Sequence, residues 1–469
     1  MSEATVPATA TGPAAQRLLW AAILASFVAF LDGSIVNIAL PAIDRDLHGG
    51  VVLQQWVVDG YLLTLSALIL VAGAVSDRFG RLRVLRIAVV AFTVTSLLCA
   101  ISPTGVVLVI ARLLQGVAGA LLVPGSLSLI IATFEGDAQG RAIGRWTAWT
   151  SVSFLVGPLV GGLLVDAVGW RSVFALSVLP ALGALLLLGR ARDEARTEEA
   201  ARFDVLSAAL AALGLAGVVT GLIQLGAERS TLPPWAGTAL LVTGAVLLVG
   251  FVVVDRRTTA PLVPPALFRS GNFAAGNAAT LFIYAGLNLL GFVPALFLQQ
   301  VVRLPATAAA LVGLPSTVLM ILLSGRFGAL AGRFGPRLFM TVGPLVAATG
   351  AVVMSFVRSP EGAVPLLVAG VVLSGIGVAA TVAPLTAAVL GAVPASESGI
   401  GSAVNNAVAR VAGLVATACV GFVLGGVVAV PGFIRASLVT AALLAAGGLV
   451  SLAGIRNPPR SAAGRPGDG

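Results

Sequence analysis

Apolar runs of 18 to 30 residues alternate along the chain with short polar breaks. Fourteen segments can be drawn: 18–41, 52–75, 84–101, 105–131, 142–165, 172–189, 204–226, 235–254, 273–298, 306–328, 338–357, 363–390, 399–428 and 433–455. An α-helix needs about 20 residues to cross a hydrocarbon core of about 30 Å. The pattern therefore predicts an all-α polytopic membrane protein with 14 transmembrane helices. The first segment is too long for a signal peptide, and no small-residue cleavage site follows it closely. Residues 1–17 are small and polar and are expected to be disordered, and the tail from residue 456 to 469, rich in Pro, Gly and Ser, is expected to be mobile.

Composition supports this class. Charged residues make up 10% of the chain and hydrophobic ones 58%, and mean hydropathy is +1.04. Soluble domains carry about 25% charge; so few charges cannot cover a soluble surface. The chain has no lysine, so its 28 basic residues are all arginine. That usage, with abundant Ala, Gly and Val, fits a GC-rich bacterial genome. The net charge of +9 lacks the basic runs with interleaved aromatics that would suggest nucleic acid, so no nucleic-acid partner is expected.

The arginines set the orientation instead. With the N-terminus inside, 20 of them fall on the cytoplasmic side and 6 outside, while Arg112 and Arg410 lie within segments. Cytoplasmic loops carry the excess of basic residues. Both termini are thus expected in the cytoplasm of a bacterial inner membrane, and the helix count is expected to be even.

Scarcity excludes much chemistry. Without lysine there is no P-loop lysine and no Schiff base. One histidine, His48, excludes HExxH and most metal sites. There is no G-x-S-x-G elbow. Cys99 and Cys419 sit far apart in apolar segments and read as packed small residues. No catalytic set, metal or cofactor is expected, so the chain does not read as an enzyme.

The chain repeats itself. Gly73-Ala-Val-Ser-Asp77-Arg78-Phe79-Gly80-Arg81-Leu82 returns 255 residues later as Gly328-Ala-Leu-Ala-Gly332-Arg333-Phe334-Gly335-Pro336-Arg337. Eight segments separate the copies. Two six-helix halves with two further helices between them produce that offset, and repeated halves around a midplane site are a common transporter build. The expected organisation is a segment at 1–17, an N-terminal half at 18–189, a linker at 190–203 and two accessory helices at 204–254. A linker at 255–272, a C-terminal half at 273–455 and a tail at 456–469 follow.

Three charged residues lie inside the segments at similar depth. Asp32 is about nine residues from the outer end of the first segment, roughly 13 Å at 1.5 Å per residue. Asp59 in the second and Arg112 in the fourth are each about seven residues in. A carboxylate at mid-helix costs about 2.5–3.5 kcal/mol on insertion scales, so Asp32 is a candidate proton carrier; the plainer alternative is a wet residue near the outer mouth. Guanidinium does not deprotonate, so Arg112 must be paired, hydrated or set against a substrate. For Asp59 a structural role at the rim stands equal to a functional one.

Four strings in order resemble one family. Leu31-Asp32-Gly33-Ser34-Ile35-Val36-Asn37-Ile38-Ala39-Leu40-Pro41 is similar to the first-helix motif of the 14-helix drug/proton antiporters (EmrB/QacA type) of the major facilitator superfamily. Gly73 to Arg83 resembles the superfamily's loop motif. Arg112-Leu-Leu-Gln115-Gly116-Val-Ala-Gly119-Ala120 resembles its fourth-helix motif, and Gly157-Pro158-Leu-Val-Gly161-Gly162 the antiporters' fifth-helix motif. Together they cover the topology in sequence and imply a major facilitator fold arranged 6+2+6.

The resemblance implies roles. Asp32 and Arg112 become a switchable proton-coupling pair, with Asp59 nearby. Gly73, Asp77, Arg78, Gly80 and Arg81 become a conformational latch, Asp77 facing the helix that begins near Ser398; the second copy has Gly332 in its place. A loop made basic by topology alone explains the arginines but not Asp77. Gly157-Pro158 permits a kink and Gly161 and Gly162 close packing, read as a gate rather than a generic glycine interface. Asn37, Gln115, Asn277, Tyr284, Asn288, Asn405, Asn406 and Arg410 are candidates for the cavity lining, with interhelical glue as the plainer role; Gln299 joins them.

The implied function is proton-coupled efflux of antibiotics or other small amphipathic compounds by alternating access. The partners are a small-molecule substrate, protons and membrane lipids, and the chain is expected to be a monomer. The rivals are an uptake permease or uncoupled facilitator, and a non-transporting membrane sensor.

Overall fold

The computed structural model describes residues 12–189, 205–227, 233–258, 261–394 and 397–457. The linker expected at 190–203, most of the N-terminal segment and most of the tail lie outside the described residues.

The chain folds into helices throughout. In order they are α1 (Pro13–Leu47), α2 (Gly50–Phe79), α3 (Arg81–Ala100), α4 (Gly105–Thr133), α5 (Gly136–Ala167), α6 (Arg171–Leu176) and α7 (Val178–Leu188). Then come α8 (Val205–Gly226), α9 (Pro234–Asp255), α10 (Gly271–Gln300), α11 (Ala306–Phe334), α12 (Pro336–Met354), α13 (Ala363–Leu390), α14 (Ser398–Ala418), α15 (Val420–Leu424) and α16 (Val430–Gly454). A 3-10 turn, Pro265–Arg269, precedes α10.

Among the described residues, 13 helices are long and apolar enough to cross a membrane, with α6 and α7 forming one span. This is a multi-pass membrane protein. The expected segment 399–428 is α14 continued by the short α15. Its Asn405, Asn406 and Arg410 lower its hydropathy, which is why it stands apart from the 13.

Helix ends differ from the apolar limits where polar residues extend the helical ladder. α1 runs on past Pro41 to Leu47 and stops where His48 turns left-handed at φ 54°. The His48 amide donates to the Asp44 carbonyl at 2.8 Å, and the Gly50 amide to the Asp44 carboxylate at 2.6 Å. Between α2 and α3 Gly80 has φ 92°, and between α11 and α12 Gly335 has φ 90°. This is the conformation only glycine adopts without strain. The sequence repeat is therefore also a repeat of backbone geometry.

Three large cores show how α1–α7, here the first half, meet α10–α16, the second half. One joins Val36, Leu40, Val57 and Phe174 of the first half to Phe292, Phe297, Ala310 and Phe433 of the second. The other two stay apart: Leu19, Leu85, Phe92 and Leu129 form one, and Phe273, Ile283, Met340 and Leu444 the other. The bundle is thus shut at one end and divided at the other, and the divided end holds the start of α1 and the end of α16. Hydrogen bonds across the shut end agree. Gln299 Nε2 of α10 donates to the Ile38 carbonyl of α1 at 3.0 Å, and Gln55 Nε2 of α2 to the Thr417 and Ala418 carbonyls at 2.8 and 2.9 Å.

Helices α8 and α9 pack on each other, with Gly217 so close to Gly244 that an added Cβ would lie 2.8 Å from its Cα. A small cluster of Leu215, Val219 and Ile223 joins α8 to Leu63 of α2 and Leu414 of α14.

Candidate functional site

Charge is concentrated where four helices of the first half meet. Arg112 of α4 donates from Nη1 to Asp32 Oδ2 of α1 at 2.6 Å and to Gln115 Oε1 at 2.6 Å. Its Nε donates to the Val57 carbonyl of α2 at 2.8 Å, and its guanidinium lies 4.5 Å from the Tyr61 ring centroid. Gln115, one turn from Arg112 and on the same face, donates to Asp32 Oδ1 at 3.1 Å and to Ser96 Oγ of α3 at 2.7 Å. Cys99 Sγ donates to Gln115 Oε1 at 3.6 Å.

Asp32 is 0% exposed and Arg112 1%. Desolvating two such ions costs several kcal/mol each, offset only by good geometry and by hydrogen bonds to the remaining atoms. Both conditions hold here. Gln115 is wholly buried as part of this network and does not line an open surface. Asp32 is nevertheless one residue from the open: Gly33 is exposed, with nothing within 4 Å of the place where a side chain would begin.

Asp59 does not join the pair. It is 0% exposed and neither carboxylate oxygen has a hydrogen-bond partner among the described residues. One turn earlier on α2, Gln55 bonds to the end of α14, which places Asp59 beside the seam between halves. Gln54 is equally buried and its amide is also without partners.

The glycines of α5 seat two neighbours. A Cβ on Gly157 would strike Ser34 Oγ, and one on Gly161 would lie 2.5 Å from Ile35 Cγ1, so both press on α1. A Cβ on Gly162 would lie 2.8 Å from Thr307 Cα, so this glycine accepts the first turn of α11 in the other half. Pro158 lies between them inside the helix. One turn beyond, Asp166 accepts hydrogen bonds from the Ala306 amide at 2.9 Å, the Thr307 amide at 2.8 Å and Thr307 Oγ1 at 2.6 Å. The residue before α11 is Pro305, which has no capping side chain. An acid of one half thus caps a helix of the other, a contact that sequence reasoning missed. The signal available was an acid four residues after Gly162, on the same face of the helix.

The polar residues of the second half divide into two sets. Asn277 is buried and donates to the Phe273 carbonyl, while Asn405 donates to Asn277 Oδ1 at 3.2 Å and Thr280 Oγ1 at 2.9 Å. These tie α10 to α14. Asn406 is exposed and bonds within its own helix to the Ser402 carbonyl, and the Asn288 amide packs on Gly413. Tyr284, Asn37 and Arg410 are half-buried. Gly80 and Arg81 form the turn into α3, but the surroundings of Gly73 and the side chains of Asp77, Arg78 and Ser398 lie outside what is described.

Comparison with known proteins gives a consistent result. The model of the Major Facilitator Superfamily matches residues 22–417. A probable actinorhodin transporter of Streptomyces coelicolor is 33% identical over 437 residues, covering 89% of this chain and 74% of that protein. The tetracenomycin C resistance and export protein of Streptomyces glaucescens is 33% identical, covering 84% and 73%. Multidrug resistance protein Stp of Mycobacterium tuberculosis is 34% identical, covering 86% and 74%. Among solved structures, the peptide transporter POT in complex with sulfate superposes with a TM-score of 0.71 at 16% identity over 93% of this chain and 94% of that one. The D-xylose-proton symporter does so at 0.68 and 15%, over 94% and 98%.

Proposed function

The chain belongs to the Major Facilitator Superfamily, and we propose that it is a proton-coupled exporter of antibiotics or other small amphipathic compounds, of the 14-helix EmrB/QacA type. Its relatives and fold neighbours are transporters, and it is a transporter and not an enzyme. The names of the relatives, with export or resistance in most of them, support outward movement.

In this reading α14 and α15 make the fourteenth span, and the halves 18–189 and 273–455 rock about a central site. Helices 204–254 are accessory, supported by α8 and α9 packing on each other and only α8 reaching α2 and α14. The linkers are 190–203 and 255–272, and the loop from Gly73 to Arg81 latches against the start of α14. The arginine asymmetry puts both termini, and with them the open end of the bundle, in the cytoplasm of a bacterial inner membrane. The described state then faces inward.

The observation that carries the reading is the sealed Asp32–Arg112 pair beside exposed Gly33. A proton on Asp32 Oδ2 removes the negative charge that holds Arg112 Nη1. The guanidinium keeps Val57 and Gln115 but loses its counter-ion, and the packing of α1 against α4 is free to change. Motion of α1 reaches α5 through Gly157 and Gly161, and α11 through Gly162. Asp59, unpaired beside the seam, is the second candidate for a proton.

The test is transport driven by a proton gradient in proteoliposomes. Asp32→Asn, fixed in a neutral state, is expected to abolish coupled export while substrate binding survives. Full coupled export by Asp32→Asn with loss in Asp59→Asn would move the proton site to α2.

A further inference from the structure

Among the described residues, Arg410 is the one charged side chain deep in the bundle that the coupling scheme leaves unused. It lies twelve residues into α14, roughly 18 Å by helical rise, too deep to snorkel to either interface. It is half-buried, and it forms no hydrogen bond or ion pair among the described residues. One turn before it on the same face is exposed Asn406, and one turn earlier again half-buried Ser402. A polar stripe at i, i+4 and i+8 cannot face lipid, so this face of α14 looks into the cleft. The helix that carries it packs on α2 of one half and on α10 of the other, where Gly413 meets Asn288. It therefore stands where the two halves face each other.

The acids at this depth are withdrawn. Asp32 is neutralised by Arg112, and Asp59 is sealed in the seam; both are 0% exposed. At the open end both signs occur, with Glu135, Glu397, Arg145 and Arg326 all exposed, so selection by charge falls to the deep site. There the accessible charge is a lone guanidinium with five donors.

We propose that Arg410 anchors an acidic group of the exported compound, a carboxylate or an acidic phenol, so that the cleft selects amphipathic acids and zwitterions over lipophilic cations. Asn406 flanks the anchor one turn away, and the apolar body of the compound lies against the walls of the halves. The proposal rests on the export reading for its direction but not for its binding chemistry.

Three probes of one shape test it: 7-diethylaminocoumarin-3-carboxylate, its neutral ethyl ester and its cationic choline ester. Fluorescence anisotropy with purified full-length protein measures binding, and inside-out vesicles measure transport. The wild type is expected to bind the acid roughly tenfold or more tighter than the choline ester, the weight of one charge-assisted hydrogen bond. Arg410→Gln is expected to level the three affinities, and Arg410→Lys to keep the order. Added salt is expected to weaken the acid alone. A role for Arg410 in packing alone would lower all three together and leave their ratios unchanged. Unchanged ratios in Arg410→Gln, tighter binding of the choline ester, or binding of none of the probes would overturn the proposal. Arg410-dependent binding of the acid without vesicle transport would instead count against export and leave the anchor standing.

Discussion

Replacing Asp166 by alanine is expected to loosen the shut end of the bundle. The carboxylate of α5 receives three donors from the first turn of α11, at 2.9, 2.8 and 2.6 Å. Losing a capping acid costs about 0.5–2 kcal/mol, and losing a negative charge at a helix N-terminus about 0.3–1 kcal/mol. Asp166 is exposed, so water replaces part of what is lost and solvent screens the charge. A net change of about 1–2 kcal/mol remains, a factor of roughly 5–30 in the ratio of shut to open. The cap spans the two halves, so this energy bears on the balance between states rather than on either half alone. Spin labels at Val168→Cys and Glu361→Cys, on exposed turns of opposite halves at this end, would report the distance by double electron–electron resonance. Asp166→Ala is expected to populate a longer distance, and Asp166→Asn, which keeps an acceptor oxygen, a smaller share of it. A distribution in Asp166→Ala within twofold of the wild type would refute the reasoning.

Three further outcomes follow from the geometry. Arg112→Leu strands a buried carboxylate, so it is expected to lose about 3–5 kcal/mol of stability, whereas Arg112→Leu with Asp32→Leu is expected to recover much of that; thermal melting in detergent reads both, and equal losses would contradict it. Gly162→Ala puts a Cβ 2.8–2.9 Å from the Thr307 backbone, so turnover is expected to fall while expression holds; turnover equal to the wild type would show that the seam tolerates the methyl. Cysteines along α9 are expected to show no protection by substrate from thiol reagents, because the helix packs on α8 and is proposed to be accessory; protection at any of them would place α9 at the cleft.

Much of the architecture was legible because a bilayer makes burial a property of segment length. Thirteen of the expected segments hold a helix long and apolar enough to span, counting α6 with α7 as one, while 399–428 is divided at Cys419 into α14 and the short α15. The pairing of Asp32 with Arg112 followed from equal depth together with the family resemblance. Equal depth did not serve for Asp59, because rise along a helix says nothing of rotation about it, and Asp59 turns to the seam. Gln115 was expected among the cavity candidates but turns inward, since the spacing that puts it on the face of Arg112 buries both. Asp166 passed unnoticed because an acid at the end of an apolar helix reads as a solvated residue. Its partner is a proline-capped helix 140 residues away, and nothing local announces it.

The shared core at the shut end carries a thermal consequence. Val36, Leu40, Phe292, Phe297 and Phe433 lie in one dry cluster there, while exposed Glu135, Arg145, Arg326 and Glu397 sit at the opposite end. In the proposed rocking of the halves, reversal of the cleft therefore wets apolar surface on one side and brings charged groups together on the other. Wetting apolar surface raises heat capacity, whereas polar surface lowers it. The two states must then differ in heat capacity, and their balance must bend with temperature. Hydrophobic closure weakens on cooling, so cold is expected to ease the shut end apart, and an Arrhenius plot of turnover should be curved.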